Sequence, residues 1–222
     1  MSVAENIDKI KATLPAHVQL VAVSKTKPNE LILEAYHHGQ KIFGENKVQE
    51  MTGKYESLPK DIEWHFIGHL QTNKIKYIVP FVHLIHGVDT FKLLKSIDSE
   101  AKKAGRIISC LMQFHIAEEE TKFGLSIEEA TEILDSEEFK KLHNIRLCGV
   151  MGMATYTEDE NQVRKEFALL KSYFDHLKSK YFASDAGFRE ISMGMSGDYL
   201  LAIEEGSTMI RIGSNIFGER NY

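Results

Sequence analysis

The stretch Gln19-Leu20-Val21-Ala22-Val23-Ser24-Lys25-Thr26-Lys27-Pro28-Asn29-Glu30-Leu31-Ile32-Leu33-Glu34-Ala35-Tyr36-His37-His38 contains two different periods. Gln19–Ser24 is a nearly continuous apolar run, as in a strand covered on both faces. Beyond Pro28, Leu31, Ile32 and Ala35 return at helical spacing over Asn29–His38, with Asn29 placed as a helix N-cap. A strand and a helix joined by a short polar turn make one β/α unit, and the turn carries Lys25.

The same alternation continues along the chain. Apolar strand-like runs follow at Lys41–Gly44, Trp64–Gly68, Leu84–Val88, Ile107–His115, Leu147–Met151, Glu190–Met193 and Met209–Ile212. Amphipathic stretches separate most of them, among them Thr90–Lys103, Ser126–Asp135 and Glu158–Lys180. Strands alternating with helices pair in parallel through right-handed crossovers. Eight of them in this length predict an α/β fold of the (β/α)8 TIM type, near its lower size limit. An open doubly wound sheet is the alternative, weakened because no G-x-G-x-x-G follows the first strand. Ser2–Leu14 reads as an extra helix ahead of the barrel. No Pro/Gly/Ser-rich linker divides the chain, so residues 1–222 are expected to form a single domain.

Of 222 residues, 43% are hydrophobic and 27% charged, which excludes disorder as the main state. The net charge of −5 argues against a nonspecific nucleic-acid binder. No apolar run approaches the roughly 18–20 residues of a membrane span, and Met1–Lys11 lacks the apolar core of a signal peptide. The expected location is cytoplasmic. Cys110 and Cys148, both in apolar stretches, read as reduced core residues.

In a barrel of this type, function collects at the C-terminal ends of the strands. Lys25 stands there directly after Leu20–Val23. A lysine amine whose pKa is lowered by desolvation or neighbouring cations is a nucleophile that forms Schiff bases with carbonyl compounds. Asn46, after Phe43-Gly44-Glu45, either caps the next helix or turns its amide into the mouth. His65 and His69 are four apart, but the glycine between them indicates strand and loop rather than helix, so no metal is expected. The seventh and eighth strand ends read Ser192-Met193-Gly194-Met195-Ser196-Gly197-Asp198 and Ile210-Arg211-Ile212-Gly213-Ser214. Small residues at such junctions let backbone N–H groups close on an anion, and barrels often bind phosphate after strands seven and eight. Ser196, Gly197, Gly213 and Ser214 are the candidate donors, with Arg211 a fixed cation nearby. The glycine spacing excludes a G-x-S-x-G nucleophile elbow, and no Gly-Lys-Ser/Thr phosphate loop occurs.

An amine on one strand end and a phosphate cradle on the opposite side of the barrel call for a ligand with both an aldehyde and a phosphate. Pyridoxal 5′-phosphate fits. A sugar phosphate in a Schiff-base aldolase fits the same two features.

Six segments resemble, in order, the pyridoxal phosphate homeostasis protein family (YggS- or PROSC-like), itself related to the barrel domain of alanine racemase. They are Val21–Pro28; Phe43-Gly44-Glu45-Asn46 with Val48-Gln49-Glu50; Trp64–Gly68 with Leu70-Gln71 and Asn73-Lys74; Gly149–Met153; Ser192–Ser196 with Asp198; and Arg211–Ser214 with Ile216-Phe217-Gly218. The resemblance implies a barrel that holds pyridoxal phosphate as a Schiff base on Lys25. It places the phosphate on Ser196, Gly213 and Ser214, with Arg211 near the ring nitrogen and Asn46 and Met195 lining the pocket. Two positions depart from the family pattern. Gln113-Phe114-His115 stands where Gln-Val-Asn is frequent, and Lys47 where tyrosine is common.

The resemblance further implies a monomer of cytoplasmic vitamin B6 metabolism that sequesters pyridoxal phosphate and delivers it to apo-enzymes. The racemase relatives take their second acid/base from a separate domain, for which a sequence ending at Tyr222 leaves no room. A carrier without catalytic residues is therefore expected, and a low-activity amino-acid racemase is the alternative.

Overall fold

The computed structural model describes residues 2–118 and 123–219. Eight strands lie in chain order around a closed parallel barrel: β1 (Gln19–Val23), β2 (Ile42–Glu45), β3 (Glu63–Phe66), β4 (Leu84–Val88), β5 (Ile108–Gln113), β6 (Ile145–Met151), β7 (Glu190–Ser192) and β8 (Met209–Ile212). Closure is made by β8 on β1, with Gln19 beside Met209, Val21 beside Arg211 and Ala22 beside Ile212. All eight expected strands are present, and the open-sheet alternative is overturned by that pairing. Of the expected 1–222 span, Met1, residues 119–122 and residues 220–222, including Tyr222, lie outside the described residues.

The helices are α1 (Val3–Lys11), α2 (Asn29–His37), α3 (Val48–Ser57), α4 (Ile75–Ile78), α5 (Phe91–Lys103), α6 (Ile127–Asp135), α7 (Glu160–Tyr181), α8 (Tyr199–Glu204) and α9 (Ser214–Phe217). Asn29 is the first helical residue of α2 rather than its cap; Pro28 holds that place, with φ fixed by its ring. The extra helix α1 begins with a capping box between Ser2 and Glu5. Its Val3 N–H donates to Glu34 of α2, and Asn6 Nδ2 donates to the Ile216 carbonyl of α9. α1 therefore spans the first and last β/α units, behind the seam where the barrel closes. No helix among the described residues is long and apolar enough to cross a membrane.

Strand periodicity divides the buried side chains into two sets. Phe43, Trp64, Phe66, Ile85, Cys110 and Ile191 face outward into the layer shared with the helices. Val21, Leu84, Leu111, Met151 and Met209 face inward and form a small apolar plug. Polar side chains share that interior, and four of them form a linked chain. The Arg211 Nη1 donates to Ser192 Oγ at 2.6 Å, and its Nη2 donates to the Gly152 carbonyl at 3.2 Å. Ser192 Oγ also meets His86 Nδ1 at 2.9 Å, and His86 Nε2 meets His65 Nδ1 at 3.0 Å. All four are buried.

Burial holds both histidines neutral: it pushes His65 down to about 3 and His86 well below the ordinary imidazole range. The unfolded chain therefore binds more protons than the folded one below about pH 6.5, and stability falls as pH drops through that window. Each imidazole contributes a slope of about 1.4 kcal/mol per pH unit while only the unfolded state titrates. We expect urea midpoints to decline steadily from pH 6.5 to pH 5. A flat profile would show that the axial histidines take up protons without loss of structure.

Candidate functional site

The C-terminal ends of the strands surround a cavity of about 580 Å³. Lys25, Asn46, Met195 and Ser196 line it, and so do Arg211, Gly213 and Ser214, so every candidate chosen from the sequence is gathered there. The placement differs in one respect. β8 pairs directly with β1, so the Gly213–Ser214 turn lies next to the lysine strand rather than across the barrel from it. The approach is close: a Cβ on Gly213 would come within 3.3 Å of the Val23 carbonyl oxygen.

Ser24, before the lysine, is buried, while Lys25 is half-buried at the rim. The turn is unusual because Thr26 has φ +65°, a left-handed conformation that a β-branched residue adopts only under constraint. The constraint is visible. The Thr26 N–H donates to Glu50 Oε1 at 2.5 Å, and Lys54 Nζ bridges Glu50 Oε1 (2.6 Å), Glu45 Oε1 (2.7 Å) and the Ser24 carbonyl (2.8 Å). The Ser24 hydroxyl donates to the same Glu45 oxygen at 2.6 Å. From the other side, Lys27 Nζ donates to the carbonyls of Phe217, Gly218 and Glu219. β2, α3 and the segment after α9 thus fix the turn that presents Lys25. Burial raises the Glu45 carboxyl above its usual range, with the Lys54 ammonium opposing it.

The seventh and eighth strand ends are tied to each other. Gly194, at φ +95°, turns the chain out of β7, where a side chain would strike Ala202 and Tyr199. The Met195 N–H donates to the Asp198 carboxylate at 2.6 Å, which shapes the Ser196–Gly197 turn. The Gly213 N–H donates to Ser196 Oγ at 3.3 Å, and Asn215 Nδ2 donates to the Ser196 carbonyl at 3.0 Å. Beneath them lies Arg211. Burial lowers its guanidinium to about 10, with the Asp198 charge opposing the shift, so it remains a cation at neutral pH.

Asn46 does not cap α3; Lys47 occupies that place without a side-chain bond, and Asn46 lines the cavity. Lys47 is exposed and lines a separate surface depression. In the segment Gln113-Phe114-His115, Gln113 keeps the family residue, lines the cavity and donates from Nε2 to the Phe123 carbonyl at 3.0 Å, while the departing His115 is half-buried. His69, weighed from the sequence only as a metal ligand, and Phe123, Thr155 and Tyr156, which sequence reasoning missed, also line the cavity. All four sit on loops after β3, β5 and β6, where no period marks which side chain turns inward.

Residues 1–221 match the family described as alanine racemase, N-terminal domain. The Pyridoxal phosphate homeostasis protein of Aquifex aeolicus is 42% identical over 205 residues, covering 92% of this chain and 88% of its own length. The human protein of the same name is 40% identical over 220 residues, covering 94% of this chain and 79% of its own. Among solved structures, PipY of Synechococcus elongatus with PLP bound is 34% identical and superposes with a TM-score of 0.88, over 98% of this chain and all of that one. The alanine racemase of Clostridium difficile in complex with cycloserine is 15% identical, with a TM-score of 0.78 over the whole of this chain and 60% of that one, and shares the fold.

Lys54 holds the lysine turn through a buried charge, and its removal leaves Glu45 without a cation. We expect Lys54→Met to lower the unfolding free energy by about 3–5 kcal/mol. Adding Glu45→Gln should restore a substantial part. Urea denaturation of the two variants checks this; a loss below about 1 kcal/mol in Lys54→Met would show that the bridge does not hold the turn.

Proposed function

The chain belongs to the alanine racemase N-terminal domain family and, within it, to the pyridoxal phosphate homeostasis proteins, and on that footing we propose that it binds pyridoxal 5′-phosphate through Lys25 and serves its storage and delivery. The observation that carries this reading is the convergence of an amine, a small-residue anion turn and a buried guanidinium on one cavity. The donor set fits the group. Gly213 approaches β1 where a Cβ would crowd Val23, which leaves backbone rather than side chain at the edge of the cradle. Ser196 stands between the two turns with its hydroxyl on Gly213. When bound, pyridoxal phosphate supplies an aldehyde carbon that forms a Schiff base with a lysine amine, and a ring whose nitrogen sets how strongly it withdraws electrons.

The chain's own residues then take distinct tasks. Lys25 offers Nζ from a turn clamped by Glu50 and Lys27. Ser196, Gly213 and Ser214 hold the phosphate by hydroxyl and backbone donors at the start of α9. Asn46 and Met195 border the ring. Arg211 keeps a positive charge on the cavity floor, fixed by Ser192 and the Gly152 carbonyl, and a cation there opposes protonation of a neighbouring ring nitrogen. That weakens electron withdrawal and favours holding over turnover.

Racemisation requires a second acid/base positioned on the face opposite the lysine. Tyr156 lines the cavity but is 97% exposed, unlike a side chain held over a reacting carbon. We therefore favour a carrier whose partners are pyridoxal phosphate and apo-enzymes that receive it, acting as a monomer in the cytoplasm, over a low-activity racemase.

Pyridoxal phosphate added to the purified protein should give a visible absorption band, and borohydride should fix the adduct on the peptide containing Lys25. Lys25→Ala should lose the band and keep a weaker, phosphate-dependent affinity. An unchanged band in Lys25→Ala would overturn the assignment. Rapid exchange of an amino acid's α-proton with solvent would move the reading to the racemase.

A further inference from the structure

The N-terminal mouth of the barrel, opposite the cavity just described, has chemistry of its own. A recess of about 430 Å³ opens there among the first residues of the strands, with Glu63, His65 and His83 on one side and Arg146, Cys148 and Glu190 on the other. One ligand atom from each of Glu63, His65 and His83 lies within 4.8 Å of the other two. The His83 Nε2 is 3.6 Å from Glu63 Oε2, and the His83 ring stacks on that of His65 with centroids 5.6 Å apart.

His65 is the informative member. It is 2% exposed, and its Nδ1 is engaged by His86 at 3.0 Å. The other ring nitrogen, Nε2, points away from His86 and is a buried polar atom with no hydrogen-bond partner. Leaving such an atom unsatisfied costs about 1–3 kcal/mol. A bound cation is one way to recover that cost. We propose that Glu63, His65 and His83 form a site for a first-row divalent cation of the zinc class at the N-terminal mouth of the barrel, with the fourth coordination position open to water.

The ligand chemistry supports the choice. Two imidazoles and one carboxylate suit zinc, whereas calcium and magnesium prefer all-oxygen sites. With the proton on Nδ1, the unpartnered Nε2 of the neutral imidazole offers its lone pair to a cation. A metal-bound histidine nearly always donates its other N–H to a fixed acceptor. Here that acceptor is already in place: with the metal on Nε2, Nδ1–H donates to His86 Nε2, and His86 Nδ1–H donates to Ser192 Oγ. The ligand atoms must close by about 1 Å to reach bonding distance. Glu63 and His83 are exposed enough to do so, with side chains 44% and 56% accessible. Arg146 and Arg189 stand across the recess, the latter paired with Glu190 at 3.1 Å, so the cation belongs on the β3–β4 side.

Occupancy would also select one of two hydrogen-bond directions along the axial chain. With metal bound, Ser192 Oγ accepts from both His86 and Arg211. With His65 Nε2–H instead, the chain runs the other way and the Ser192 hydroxyl donates to His86. A cation at one mouth therefore sets the state of the serine that holds Arg211 at the other.

The test is isothermal titration of the purified protein with Zn²⁺ at pH 7.5 after dialysis against a chelator. One ion per chain is expected. Because His65 lies in the core, the exposed partners carry the comparison: His83→Ala and Glu63→Gln should each weaken binding at least about tenfold. His176→Ala, on the exposed outer surface of α7, should leave it unchanged. Imidazole ¹⁵N spectra give a second readout, in which Zn²⁺ should move the His65 proton to Nδ1. No binding by the wild-type chain, equal affinity in the His83 and Glu63 variants, or unaltered His65 and His86 nitrogens would each overturn the proposal.

Discussion

A guanidinium buried inside a barrel is the constraint on which much else here depends. Arg211 sits on β8 facing inward, 4% exposed, and a charge taken out of water must be hydrogen-bonded by its surroundings. Ser192 and the Gly152 carbonyl meet that need from β7 and from the end of β6. Ser192 is in turn fixed by His86 on β4, and His86 by His65 on β3. The polar chain crosses the barrel interior beside the apolar plug of Val21, Leu84, Leu111, Met151 and Met209. The same chain fixes the direction of the cation on the cavity floor and leaves one imidazole nitrogen facing the opposite mouth.

Much of the fold was legible because parallel strands buried on both faces leave continuous apolar runs, and all eight runs became strands. The helices that escaped notice have physical reasons to do so. In α3 the buried positions are Val48, Met51 and Lys54, and the lysine breaks the apolar stripe while serving as a buried cation. α4 and α9 have four residues each, too few to show a period. The site was legible for a different reason: polar residues that interrupt an apolar strand end must face either solvent or a mouth, and in a barrel the mouth is where they meet.

What spacing could not show was which polar residues share the interior. His65 stands four residues from His69, yet its partner is His86, 21 residues away, and the next link to Ser192 spans 106. Strand register rather than sequence distance makes these contacts. The placement of the Gly213–Ser214 turn relative to Lys25 failed in the same way. Consecutive numbering puts the first and last strands farthest apart, and closure makes them neighbours. The lysine turn itself depends on a buried ion cluster drawn from β2 and α3, which no local motif announces.

The clamp of Lys27 on the carbonyls at the end of α9 and just beyond it has a consequence for the order of events during synthesis. Its first acceptor, Phe217, lies 190 residues downstream of the lysine. β1 leaves the ribosome early, but its partner β8 is the last strand made. Contacts of such long sequence separation form late, because loop closure must precede them. The amine-bearing turn therefore takes its final shape only after nearly the whole barrel has emerged. A half-made chain carries Lys25 in a turn that still lacks the Lys27 clamp.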